Sequence, residues 1–170
     1  MTELQRIHPY SCQAYRLIRW FFDQDILGQR TAHLGARELT LVRHQFDGES
    51  GILEFSRDVP APQNVPKTIK RFQQEWNRVH YKETWQRQSN GHFRGEVQAR
   101  ISGVPVEVVT HLHLKPAAQG EGCENHIRVQ ITSQVPLLGR VIESVVCGDV
   151  DRQLETEYRF FQTLLETEPA

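Results

Sequence analysis

Glu83 is the residue whose type and spacing most invite chemistry. On an extended strand it shares a face with Val79, Tyr81 and Trp85, which are apolar or amphipathic. If that face looks inward, a carboxylate enters the interior, where it must be paired or have its pKa raised. There it can accept a ligand hydroxyl, or act as a general acid or base with Tyr81 nearby. The ordinary alternative is structural: a salt bridge or a backbone hydrogen bond near the sheet end, since structural ion pairs also perturb pKa values.

His111-Leu112-His113 is the second candidate. On a strand, residues i and i+2 point the same way, so both imidazoles can reach one ion, and His126 can join them if its strand pairs there. The same face carries Glu107, Arg128 and Gln130 and therefore reads as wet. A specific metal site needs three or four converging ligands, and no metal is expected. The third candidate is a basic stretch, Lys67, Lys70, Arg71, Arg78, Lys82 and Arg87, interleaved with Phe72, Trp76, Tyr81 and Trp85. Basic and aromatic residues together can bind RNA. Here they span a helix and a strand, and Glu75 and Glu83 dilute them, so a solvated face or a rim for an anionic head group is expected instead. No nucleophile elbow, Gly-rich phosphate loop or HExxH is present, and no cofactor is expected. Cys12, Cys123 and Cys147 are odd in number and far apart, with no CxxC pair; they read as apolar filler in a reduced protein.

The elements that must position these residues are legible from periodicity. From Gly91 to Ser133 apolar residues fall on every second position; from Pro136 onward they fall every third or fourth. Phe93, Val97, Ala99 and Ile101 oppose Arg94, Glu96, Gln98 and Arg100. Val106, Val108, Leu112 and Leu114 oppose Glu107, Val109, His111 and His113, and Ile127, Val129 and Ile131 oppose His126, Arg128 and Gln130. One wet and one buried face is the signature of an antiparallel sheet. Upstream, Leu4–His8 reads as a short polar strand, Cys12–Phe22 as a helix capped by Ser11, and Asp25–Leu34 as a second helix stopped by Gly35. Strands at Arg37–Phe46 and Gly51–Val59 flank the turn Asp47-Gly48-Glu49-Ser50. The first of them alternates imperfectly, as a bulge or a strand covered on both sides would. Three prolines make Val59–Pro66 a loop. Lys67–Gln74 is a short helix, and strands follow at Asn77–Gln86, Phe93–Ile101, Val104–Leu114 and Cys123–Ser133. A helix of about 30 residues begins after Val135, with Pro136 in its first turn. Its stripe runs from Leu138 to Leu165, with Asp149, Asp151, Arg152, Glu155, Glu157 and Arg159 on the polar side. Gly148 inside it marks a bend or a close approach to the sheet.

A chain of 170 residues is expected to form a single domain, spanning 1–170, with a core that needs no staples. Twenty Lys and Arg balance 21 Asp and Glu, so no global field draws nucleic acid or an anionic membrane. No run approaches the roughly 18 apolar residues of a membrane span, and Met1–Tyr10 lacks a signal peptide's apolar core. A cytoplasmic protein is expected, monomeric or weakly dimeric, with neither nucleic acid nor stable membrane insertion.

The order strand, two helices, six strands, long helix resembles the START-like superfamily, also called SRPBCC or helix-grip. Glu83-Thr84-Trp85, Gly103–Val108, Val135–Glu143 and Glu155–Leu165 are similar to an uncharacterised bacterial family within it. The resemblance spans nearly the whole chain and implies an α+β fold: a curved antiparallel sheet of six or seven strands wrapped around the last helix, with an apolar pocket between them. Better-known members bind lipids, quinones, sterols or polyketides, and a minority are enzymes. The expected pocket wall comprises Phe55, Val79, Tyr81, Glu83, Trp85, Phe93, Val97, Val106, Val108, Leu112, Ile127 and Val129. The helix adds Ile142, Val146, Val150 and Leu154. Gly95 and Ala99 are small enough to leave room, and Val59–Lys67 and Gly28–Gly35 are candidates for an adjustable mouth. Three readings follow: a binder of an apolar small molecule, a cyclase- or hydratase-like enzyme using Glu83 with Tyr81, or an interaction module for protein or RNA with a filled core.

Overall fold

The computed structural model describes residues 1–168. Seven strands form one antiparallel sheet: β1 (Thr2–Tyr10), β2 (Arg37–Phe46), β3 (Ser50–Pro60), β4 (Trp76–Arg87), β5 (Phe93–Ile101), β6 (Glu107–Pro116) and β7 (Cys123–Thr132). Their order across the sheet is β1-β7-β6-β5-β4-β3-β2. Every neighbour pair except β1–β7 joins strands consecutive in the chain, so the sheet is a meander to which the first strand returns. Two short helices, α1 (Ala14–Phe21) and α2 (Gln24–His33), follow β1, and α3 (Gly139–Thr167) ends the described chain. Its 29 residues make it about 44 Å long at 1.5 Å per residue.

β1 is nine residues long rather than the short strand expected. It pairs along its whole length with β7, from Thr2 opposite Ile131 to Tyr10 opposite Cys123. Polar side chains hid it, because an edge strand pairs through its backbone. It also carries α3: Tyr158 Oη and Gln162 Nε2 donate to the Pro9 carbonyl at 2.7 and 2.9 Å, and the His8 ring stacks on Tyr158 at 4.3 Å.

Glu143, in the first turns of α3, is covered although it lies near the surface. Its carboxylate accepts from the Ser133 N–H and the Thr2 hydroxyl, both at 2.9 Å. One side chain therefore joins the ends of β7 and β1 to the helix.

α3 starts at Gly139, three residues later than expected. Leu137 has φ of 64°, a left-handed conformation that cannot continue a right-handed helix, so Pro136–Leu138 form a turn. Gly148 makes no close approach to the sheet: a Cβ there would meet nothing within 4 Å. Ser11 does not cap α1; the cap position is Gln13, with no side-chain bond. α2 is capped by Asp23, whose Oδ1 accepts from the Ile26 N–H at 3.0 Å. Lys67–Phe72 is a 3-10 stretch shorter than the helix expected there, and β6 begins three residues after Val104. β2 is bulged, not covered on both sides. Its register slips between Arg37 and Thr40 and again between Leu41 and Arg43, which leaves Val42 in solvent.

The core lies between the concave sheet face and the helices. Ile142, Val146, Phe161 and Leu165 of α3 are buried, each contributing about 1.5–3 kcal/mol. Two glycines seat aromatic rings. A Cβ on Gly51 would lie 2.4 Å from the Phe22 ring, and one on Gly95 would lie 2.6 Å from the Trp85 indole. Phe22 then stacks on Phe46 at 4.7 Å, and Phe21 meets Trp85 and Phe161 at 5.7 and 5.3 Å, closing one end of the curved sheet.

Candidate functional site

Between the sheet and α3 lies a cavity of about 220 Å3. Phe55, Val79, Tyr81, Glu83 and Trp85 line it from β3 and β4. Val97, Val108, Leu112 and Ile127 line it from β5, β6 and β7, and Ile142, Val146, Val150 and Leu154 from α3. The remaining three residues of the expected wall are elsewhere. Phe93 and Val129 are wholly covered by core neighbours, and Val106 precedes β6 outside the cavity. Alternation identifies a buried face; it does not say which buried residues border empty space. Gly95 leaves no room, because the Trp85 indole lies across it. The loop after β3 adds Ala61, Pro62 and Val65 to the wall, while the Gly28–Gly35 segment adds only Arg30.

Glu83 is buried and faces the cavity. Trp85 Nε1 donates to its Oε1 at 2.6 Å. Burial pushes its pKa up, against the opposing pull of Arg30 and of the Trp85 hydrogen bond. Tyr81 lies deep in the fold yet keeps ring surface open to the cavity, stacked on Phe55 at 4.7 Å; burial raises its phenol.

Residues that sequence reasoning missed complete a polar end. Arg57, opposite Val79 in the β3–β4 register, is 3% exposed. Its Nη1 donates to Thr31 Oγ1 at 3.1 Å and its Nη2 reaches Glu157 Oε1 at 3.5 Å. Its guanidinium stands over the rings of Tyr81 and Phe55, at 5.0 and 5.4 Å. Burial opposes its charge, but Tyr81 and Glu157 outweigh burial and hold its pKa above the ordinary value. Arg30 of α2 is 5% exposed at the same wall. Asp149 and Glu157, assigned to the polar side of the last helix, face the cavity with Gln153. His8, Tyr10, Asn125 and Tyr158 add polar atoms from β1, β7 and α3, and burial lowers the His8 pKa. Arg57 was visible in the alternation: it shares its strand face with Leu53, Phe55 and Val59. Arg30 and Asp149 carried no such signal.

His113 and His126 stand opposite each other on β6 and β7, ring centroids 6.4 Å apart, but each binds another partner. His113 bonds to His92 at 2.9 Å and His111 stands 3.6 Å from Glu96, while His126, opposite His113, bonds to Glu124 at 2.9 Å. Among the described residues no group of three or more His, Cys, Asp or Glu converges as metal ligands would. In the basic stretch, Tyr81 and Trp85 point inward while Arg78, Lys82 and Arg87 pair with Asp58, Glu54 and Glu49. Cys12 and Cys123 are buried, and all three cysteines are free. No helix among the described residues is long and apolar enough to cross a membrane.

A family profile matches residues 6–165. The chain belongs to DUF2505, a family described as "protein of unknown function". No curated protein matches this DUF2505 chain. Among solved structures it is similar to TTHA0849 from Thermus thermophilus, at 12% identity and a TM-score of 0.63, over 99% of this chain and 100% of that one. It is also similar to a point mutant of norcoclaurine synthase from Thalictrum flavum, at 14% identity and a TM-score of 0.58, covering 99% and 96%. A START superfamily protein from Mycobacterium smegmatis matches at 8% identity and a TM-score of 0.55, covering 95% and 98%. Identities this low establish the fold and nothing finer. The DUF2505 chain has the START-like helix-grip fold.

Proposed function

We propose that this DUF2505 protein binds an apolar small molecule in the cavity between the sheet and α3. The cavity itself carries the reading. Protein interiors are normally close-packed, and lost contacts make an empty space of this size costly. An engineered cavity of ~150 Å3 lined by Leu, Ile and Phe takes up benzene. The cavity here is larger, at about 220 Å3, and its wall is mostly aliphatic and aromatic. Each ligand CH2 removed from water contributes about 0.8 kcal/mol, and the polar end sets orientation. The interaction-module reading calls for a filled core, and the cavity counts against it.

Native mass spectrometry of freshly purified protein, with organic extraction of whatever leaves, tests the proposal. The expected result is a stoichiometric bound mass, or uptake of the neutral probe N-phenyl-1-naphthylamine that Val97→Trp abolishes by filling the cavity. A clean protein mass together with no probe uptake refutes it.

Glu83 supports the second reading, an enzyme with Glu83 as acid or base and Tyr81 beside it. Its carboxyl faces the cavity with a raised pKa, as acid–base catalysis at neutral pH favours. In Glu83→Gln an enzyme loses turnover and keeps affinity; a carrier changes affinity alone.

A further inference from the structure

The polar end of the cavity is not balanced. Among the described residues three buried side-chain polar atoms lack a hydrogen-bond partner: Arg30 Nε, Arg57 Nε and Asn125 Oδ1. Two of the three are donors on guanidinium groups, both at the cavity wall. The nearby carboxylates do not meet them. Glu83 is engaged by the Trp85 indole at 2.6 Å, and Glu157 touches only Nη2 of Arg57, at a stretched 3.5 Å. Arg57 donates to Thr31, the residue after Arg30, and both guanidiniums line the same cavity. A buried donor left without an acceptor loses its hydration with nothing in exchange.

We propose that the ligand carries a carboxylate on its apolar body, and that this carboxylate docks against Arg30 and Arg57. The inference rests on the binding reading above. A carboxylate has two oxygens and about four lone-pair sites in one plane, which fit the planar fork of a guanidinium. Such a pair is strongest in a dry site. A phosphate fits less well, because a second negative charge would stand beside Glu157 and Glu83. An ammonium ligand would add a cation to a corner already rich in donors.

The test is calorimetric titration at pH 7 with matched probes: decanoate against decanol and decylamine, and 2-naphthoate against 2-naphthalenemethanol. The acids are expected to bind at least tenfold more tightly than the alcohols. Arg30→Gln and Arg57→Gln are expected to remove that preference, lowering acid affinity at least tenfold more than alcohol affinity. Equal affinity of acid and alcohol for the unmodified protein, or strongest binding of the amine, overturns the carboxylate proposal and leaves cavity binding standing. No binding by any probe overturns both. If Arg57→Gln does not fold, Arg30→Gln and the unmodified protein decide.

Discussion

Gly95→Ala adds one methyl group to β5 where the Trp85 indole crosses the strand. The new Cβ would lie 2.6 Å from Cδ2 and 2.7 Å from Cε2 and Cε3 of that ring. Carbon atoms rest at about 3.5–4.0 Å, so the indole must move by roughly 1 Å. It has little room, being 3% exposed and wedged against Phe21. Overpacking of this kind costs about 1–3 kcal/mol. Moving the ring also stretches the 2.6 Å bond from Nε1 to Glu83, and a hydrogen bond to a charged group contributes about 1.5–3 kcal/mol. The total is about 2.5–6 kcal/mol, a Tm lowered by roughly 5–24 °C at ~2–4 °C per kcal/mol for a chain of this size. Thermal unfolding followed by circular dichroism measures it, and tryptophan emission reports the displaced indole. A Tm within 2 °C of the unmodified protein refutes the reasoning. It would mean that the space over Gly95 is open, as the size of the residue alone suggests.

The same substitution at Gly148 has the opposite sign. Nothing lies within 4 Å of its Cβ, so Gly148→Ala raises stability by about 1 kcal/mol in urea unfolding, and any loss contradicts a freely exposed helix interior. Glu83 binds its proton more tightly folded than unfolded. Its contribution is therefore most favourable below the unfolded pKa, near 4.3, and declines as pH rises through the raised folded value. Glu83→Gln removes that decline, so the stability of the variant relative to the unmodified protein rises between pH 4 and pH 7; the reverse slope in urea titrations refutes it. Tyr158→Phe deletes the 2.7 Å bond to the Pro9 carbonyl and is expected to cost about 0.5–1.5 kcal/mol, with hydrogen exchange increasing along β1.

Much of the fold was legible because alternation and helical period report directly which residues leave water. β5 runs from Phe93 to Ile101 as expected, and β7 ends within one residue of its expected end. Glu83 was legible for the same reason: a charge among Val79, Tyr81 and Trp85 breaks an apolar face. Arg57 breaks its face in the same way among Leu53, Phe55 and Val59. β1 was legible only in part, since an edge strand's pairing leaves a weak trace in side-chain polarity.

Period and polarity in the chain determined the element order, the inward face of the sheet and the entry of a carboxylate into the interior, because burial selects residue type position by position. Tertiary structure decided whether a buried residue borders a void or a neighbour, which separates Val97 from Val129. It also decided which polar residues of α2 and α3 face a cavity instead of solvent. Arg30, Asp149 and Glu157 have the sequence signature of surface residues; only the curve of the sheet around α3 brings them to one cavity wall with Arg57, because that wall is assembled from segments far apart in the chain.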